Sequence, residues 1–361
     1  MHLKYKIKTF ILGLSALITT FSGTLQGQWT SPYYQIYQVS YDEPCHVYYG
    51  GELLYWTILQ SNLDYAVDVD ATDSADEILG PKRTHFLDFD WRCGVRGWIG
   101  WNSGCDWDTK LTYTYYKNRA RGRETAKDDD TDLLASLLHP STGKKIAEKA
   151  TGRNDFEYQT IDLLLGRIQC FCEKSFVLHH FFGVRALRIK QDEQVTYKGG
   201  DFVLNSSAPH INNTNSTPAR VKWDSKVEGI GIHAGMEMQY RMRCGLGLYG
   251  TFAGSVLGSK TRNRHLQVVL DNIKEVTSTE ISLREKQSLL LPGYNLTTGI
   301  GWDWCCGCCL YGNFKLGYEF NQWFDIPQIR RYHFNNEGVS NSASSGKVGF
   351  HGATFRAELY F

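Results

Sequence analysis

The sequence predicts an all-β protein, an antiparallel transmembrane β-barrel of about ten strands with short periplasmic turns and long extracellular loops. Three observations predict it. The first is the final segment, Val348 to Phe361, where Ala353, Phe355, Ala357, Leu359 and Phe361 share one face and Thr354, Arg356, Glu358 and Tyr360 the other. One face suits lipid and the other water, the period-two pattern of strands that cross a membrane. The second is the segment from Leu87, which sets Leu87, Phe89, Trp91, Cys93, Val95, Gly97 and Ile99 against Asp88, Asp90, Arg92, Gly94 and Arg96. Charges confined to one face fit a wet lumen better than a soluble core. The third is a regular succession of short and long connections. Hydrocarbon offers no partner to an open sheet edge, so such strands must close on themselves.

Taken in order, residues 1–27 read as an export signal. Lys4, Lys6 and Lys8 precede an apolar run from Phe10 to Thr20, and the small residues Ser22, Gly23 and Gly27 follow. No later stretch reaches the roughly 18 uninterrupted apolar residues of a spanning helix. Residues 28–45, with Trp29, Tyr33, Tyr34, Tyr37 and Tyr41, form a periplasmic lead-in or a lumen plug. The barrel occupies 46–361, with strands expected near 46–59, 87–99, 107–115, 154–170, 174–191, 223–242, 245–258, 288–304, 309–322 and 347–361. Trp107, Thr109, Leu111, Tyr113 and Tyr115 oppose Asp106, Asp108, Lys110, Thr112 and Thr114. Further on, Ile230, Ile232, Ala234, Met236, Met238 and Tyr240 oppose Gly231, His233, Gly235, Glu237 and Gln239. The facing of the stretch from Ile161 to Gly166 is obscured by its nearly continuous apolar run. His265 to Val269 and Val276 to Ile281 would supply an extra hairpin and raise the count to twelve.

Short links fall at Asn102 to Cys105, Phe171 to Glu173, Arg243 and Cys244, and Cys305 to Cys308. Long polar ones fall at 60–84, 118–153, 192–222, 259–287 and 323–346. Aromatic residues are 14% of the chain, with 35 Gly against 8 Pro, a mixture that favours sheet with interfacial girdles over a helical core. Trp98, Trp101, Trp107, Phe171, Phe176, Tyr240, Trp302 and Trp304 flank the short turns and mark that interface. The net charge of +1 gives no support for a nucleic-acid partner. Outer-membrane lipid and the barrel-assembly machinery are the expected partners. Phe355, Leu359, Tyr360 and Phe361 form the expected assembly signal.

Nine of the ten cysteines collect on the expected periplasmic rim: Cys45 just before the first strand, and Cys105, Cys170, Cys172, Cys244, Cys305, Cys306, Cys308 and Cys309 at or beside the four short turns. That rim is on the oxidising side of the membrane. Two outcomes stand open, staples within one barrel and disulfides to other copies or to periplasmic cysteine-rich proteins. Four thiolates on the single tight turn Cys305-Cys306-Gly307-Cys308-Cys309 would strain to make a tetrahedron, so neither a metal nor another cofactor is expected.

Gly50-Gly-Glu-Leu-Leu-Tyr-Trp56, Phe89-Asp-Trp-Arg-Cys-Gly-Val-Arg96 with Gly100-Trp101, Trp107 to Tyr116, Leu291-Pro-Gly-Tyr-Asn-Leu296 and the terminal Phe361 form a set of aromatic and glycine landmarks. Together they resemble the Legionella-type major outer membrane protein family, which also occurs in environmental relatives of the chlamydiae. The resemblance implies an abundant, porin-like barrel in the outer membrane of a Gram-negative-type bacterium, with cysteine cross-linking of the envelope in the chlamydial branch. It brings no catalytic residues.

The expected function is therefore passive diffusion of ions and small hydrophilic solutes, joined to a structural role in a disulfide-linked envelope. The pore-lining candidates are Glu52, Asp88, Asp90, Arg92, Arg96, Asp108, Lys110, Arg185, Glu237, Lys315, Arg356 and Glu358. Their signs nearly cancel, so only mild selectivity is expected. The alternative is a non-conducting structural or adhesin barrel, because small barrels fill their interior with side chains. No enzyme is expected. His85 near Asp88 and Asp90, and the pair His179 and His180, lack a Gly-x-Ser-x-Gly or His-Glu-x-x-His context. The run Asp128-Asp129-Asp130 lacks the spacing and distal Glu of a calcium loop.

Overall fold

Ten long strands, each hydrogen-bonded to both its sequence neighbours, form one closed antiparallel ring in a computed structural model of the chain. The structure describes residues 46–70, 83–103, 107–126, 131–138, 146–171, 175–200, 202, 218–242, 245–270, 277–306, 310–329, 331–335, 338–342 and 345–360. In chain order the strands are β1 (His46–Gln60), β2 (Arg92–Asn102), β3 (Trp107–Thr125), β4 (Lys149–Phe171) and β5 (Phe176–Lys198). They continue as β6 (Ala219–Arg241), β7 (Leu246–Leu270), β8 (Thr277–Cys306), β9 (Leu310–Pro327) and β10 (Ser345–Tyr360). The ring closes where β1 meets β10, in a register running from Tyr48↔Tyr360 to Gln60↔Val348. Phe361 and the export-signal and lead-in segments lie outside the described residues.

The lipid-facing stripe of this ring is exposed apolar surface. Leu53 is 60%, Ile230 62%, Ile232 69% and Leu290 64% exposed, which in a water-soluble protein would be an aggregation liability and in a membrane is the required belt. Strand number follows the expectation of ten. His265 to Val269 and residues up to Ile281 do not make a separate hairpin. They prolong β7 and β8, with His265↔Leu283 and Gln267↔Ile281 in register.

Several strands are longer than the sequence pattern suggests. β8 has 30 residues and β7 has 25. A strand inclined at about 45° needs only about 9–11 residues to cross the hydrocarbon. The excess rises above the outer leaflet, so much of the loop sequence is strand. Beyond the belt the alternation changes sign. On β5, Phe182 and Val184 face lipid below, whereas Arg188 and Lys190 occupy the same outer face above.

The expected strand from Leu87 to Ile99 is broken. Asp88–Phe89 pairs with β3 and stops, and Asp90 and Trp91 lie between it and β2. One residue of slip across this break exchanges the two faces. Leu87 is buried and Phe89 packs inward, whereas Arg96 is inward on the far side of the break. Asp88 and Asp90 are consequently exposed, Asp88 beside Arg121 in register, and they do not line the lumen. This corrects the sequence assignment of both.

Loop segments contribute a small four-stranded sheet at the extracellular end, in the order Thr84–Phe86, Asp64–Asp70, Thr131–Ala135, Ile146–Ala147. Beneath it lies an apolar layer that includes Leu63, Tyr65, Leu133, Val195, Tyr197, Val221 and Trp223. A second apolar layer, with Leu54, Trp56, Tyr116, Phe156, Tyr158, Ile189, Trp323 and Phe350, fills the barrel below the first.

Candidate functional site: the barrel lumen

Every second residue of a barrel strand points inward, so the lumen inherits whatever the inner face carries. At the periplasmic end Tyr48 Oη donates to Asp108 Oδ2 at 2.5 Å, and His179 Nε2 lies 2.7 Å from Asp108 Oδ1. Gly50 and Gly100 leave room for flat rings above them. A Cβ on Gly50 would come within 2.3 Å of the Trp98 ring, and one on Gly100 within 2.1 Å of the Tyr48 ring. Trp98 Nε1 donates to Glu358 Oε1 at 2.8 Å, with the Arg356 guanidinium 4.6 Å and the Lys110 ammonium 6.0 Å from its ring centroid.

The charges then tie strand to strand across the interior. Arg356 bridges Glu358 at 2.9 Å and Glu237 at 3.3 Å, and Glu237 also pairs with Lys315. Arg96 Nη1 donates to Glu52 Oε2 at 2.6 Å and to Glu319 Oε2 at 3.0 Å, and its Nη2 donates to Glu319 Oε1 at 2.9 Å. Asn295 is a further donor to Glu319. Arg185 grips Asp162 through two bonds of 2.6 and 2.7 Å, and also reaches His233 Nε2 at 3.0 Å and Ser255 at 3.2 Å. Paired and mostly buried, these charges present little net field to a passing ion.

Above the charges the lumen turns aromatic. Phe350 on β10 has no solvent exposure, and its ring centroid lies 4.6 Å from Tyr158, 5.6 Å from Phe156, 5.8 Å from Trp56 and 5.9 Å from Tyr116. Phe156 and Tyr158 belong to β4, four strands away around the ring. Asn321 on β9 donates to Tyr158 Oη at 3.3 Å, joining strands on opposite sides of the barrel.

Of the sequence candidates, Glu52, Arg96, Asp108, Lys110, Arg185, Glu237, Lys315, Arg356 and Glu358 lie on the inner face. Arg92 is opposite Trp56 in register but exposed. Asp162, Glu319, His179, His233 and Tyr48 complete the polar clusters and were not among those candidates. The alternation of Asp162 with Ile161, Leu163 and Leu165 was its available signal, masked by Leu164 on the inner face. Nothing in an expectation of polar inner faces pointed to Trp56, Tyr158 or Phe350.

His85 is buried, with Nε2 2.7 Å from Asp68 Oδ1 and Nδ1 3.2 Å from Glu124 Oε1. Asp88 and Asp90 are exposed and make no group with it, and His179 sits at the other end of the barrel. Among the cysteines, Cys170 is exposed at the periplasmic end of β4, and Cys305 and Cys306 close β8. Cys45, Cys105, Cys172, Cys244, Cys308 and Cys309 lie outside the described residues. Phe355 is exposed on the lipid side and Leu359 and Tyr360 end β10.

A family model described as Legionella pneumophila major outer membrane protein precursor matches residues 45–361. No curated protein matches. Among solved structures, the outer membrane protease OmpT from Escherichia coli aligns over 88% of this chain and 96% of its own, at 12% identity and a TM-score of 0.41. A major outer membrane protein from Thermus thermophilus aligns over 88% and 100%, at 9% identity and a TM-score of 0.25. A Pseudomonas aeruginosa FadL homologue aligns over 88% and 90%, at 10% identity and a TM-score of 0.30. Likeness at this level supports no inference about activity.

Proposed function

This chain belongs to the Legionella major outer membrane protein family and is an outer-membrane β-barrel, and from that premise we propose that it is a closed structural barrel of the envelope. The observation that carries the proposal is the cross-barrel contact of Phe350 and Asn321 with Tyr158. A diffusion pore needs a continuous water column, and an apolar constriction excludes water even before it excludes solutes. Here the constriction is a packed aromatic layer between a paired charge network and a loop sheet. The buried setting of His85 supports a structural role for its contacts with Asp68 and Glu124.

Reconstitution into planar bilayers tests this. Folded protein, identified by its heat-dependent electrophoretic mobility, is expected to give no discrete conductance steps. Regular unitary steps from the same preparation would restore the passive-diffusion reading. The envelope role extends to the cysteines, which the sequence pattern assigns to the rim on the oxidising side of the membrane. Reductant-sensitive high-mass species in isolated envelopes would support linkage to neighbours, and an unchanged monomer band would limit the thiols to the barrel itself.

A further inference from the structure

Above the lipid belt, the outer face of the prolonged sheet from β3 to β8 carries rows of side chains fixed by strand register. The apolar boundary row reads Tyr113, Ile161, Ala186, Ile230, Gly258 and Leu290. Two rows higher stand Lys117, Glu157, Lys190, Lys226, Arg262 and Lys286, five cations to one carboxylate. Like charges directly opposite on neighbouring strands repel, yet Lys190, Lys226, Arg262 and Lys286 are opposed in unbroken succession. Lys190 reaches Glu157 only at 3.6 Å, and Lys226 leans to Glu228 in the row below at 2.5 Å. Arg262 and Lys286 have no ion pair among the described residues. All six members of the row line a shallow depression of about 570 Å³ on this face.

We propose that this basic row is a binding site for the phosphorylated sugar headgroup of the outer leaflet's glycolipid. Three features select that occupant. The row stands about two residue pairs, or roughly 13 Å along the strand, above the last apolar row, where acyl chains give way to phosphate. Cations outnumber carboxylates nine to five in the lining of the depression, an excess suited to a bulky anionic headgroup rather than to an acyl chain. The anions on this face lie mainly in the next row up, where Asp155, Asp192 and Asp224 stand side by side, flanked by Arg119 on one side and by Arg264 and Arg284 on the other, so that this row is balanced in charge. The row at the level of the headgroups therefore carries the largest excess of positive charge of the rows on this face, ahead of the row two above it with Arg121, Arg153 and Lys222. Phosphate bridging neighbouring cations would remove the repulsion between them.

The experiment compares retention of diphosphorylated lipid A and of phosphatidylethanolamine by the folded full-length barrel in mixed vesicles, with soluble heparin oligosaccharide as a third probe. The wild type is expected to retain lipid A at least tenfold more strongly than phosphatidylethanolamine. The combined variant Lys190→Gln, Lys226→Gln, Arg262→Gln, Lys286→Gln should lose at least nine-tenths of that preference. A control variant higher on the same face, Arg123→Gln with Lys149→Gln, should keep it. Heat-dependent mobility confirms that each variant is folded. Equal retention of the two lipids, equal loss in the control variant, or heparin binding without a lipid A preference would each overturn the proposal.

Discussion

Arg96 offers a direct measure of whether the lumen is dry. Its guanidinium makes three short bonds to Glu52 and Glu319, whose side chains are 7% and 0% exposed, and it lies 5.5 Å from the Trp56 ring centroid. Arg96→Met removes the guanidinium that satisfies both carboxylates at once and leaves Glu319 with Asn295 as its remaining described donor. In a low-dielectric interior, removing one partner of a buried ion network costs about 3–5 kcal/mol, because the surviving charge has no compensation. In a water-filled channel the same pairs would be worth about 0.2–1 kcal/mol, since water hydrates the orphaned carboxylates. Urea-driven unfolding of the barrel in phospholipid vesicles, followed by tryptophan fluorescence and gel mobility, separates these values. The compensating triple variant Arg96→Met, Glu52→Gln, Glu319→Gln should recover most of the loss, as replacing a whole buried network often does. A single variant that loses no more than about 1 kcal/mol, and a triple variant that gains nothing over it, would refute the dry-lumen argument and the closed-barrel proposal with it.

Two further outcomes follow from the same interior. Phe350→Ala should destabilise the barrel by about 3–5 kcal/mol, because a fully buried ring is removed from between four others; a urea midpoint within error of wild type would contradict its place in a packed layer. Glu193 sits above the membrane, where burial pushes its carboxyl up to about 7 despite the nearby Arg331 charge and an Asn154 amide donating to it at 3.2 Å. Between about pH 4.5 and 7 the folded state holds a proton that the unfolded chain has released, so stability falls as pH rises through that window and stays low above it. Glu193→Gln should therefore stabilise the protein by about 3 kcal/mol near pH 8 and by almost nothing near pH 4. Equal gains in melting temperature at both pH values would count against it.

The ring of ten strands was legible because a barrel wall between lipid and a polar interior enforces strict alternation, as in Thr354, Arg356 and Glu358 against Phe355 and Ala357. The true strand lengths were not. Above the bilayer the outside of the wall meets water and the inside meets a packed core, so the pattern reverses. Val221, Trp223 and Val227 point in where Lys222, Asp224 and Lys226 point out, while lower on β6 His233 points in and Ile232 out. Read along the chain, that reversal looks like the end of a strand. Leu87 and Phe89 belong to the reversed part, which is why Asp88 and Asp90 were placed on the wrong side. The polar lumen clusters were half legible, because alternation identifies inward charges but not their partners, which stand up to four strands away around the ring. The aromatic layer was hidden for a different reason: Trp56, Tyr158 and Phe350 acquire their meaning only when distant strands are brought together by closure.

The seam between β1 and β10 has a consequence for how the chain matures. Its first paired residues, Tyr48 and Tyr360, stand at opposite ends of the described sequence, whereas every other junction can form as a local hairpin. Loop-closure entropy and topology both delay such a contact, so the cylinder is zipped shut last, and until then two raw edges are on offer to any other strand. A chain shortened by its final strand would keep its hairpins but carry those edges permanently, and its fate would be promiscuous pairing rather than a smaller barrel.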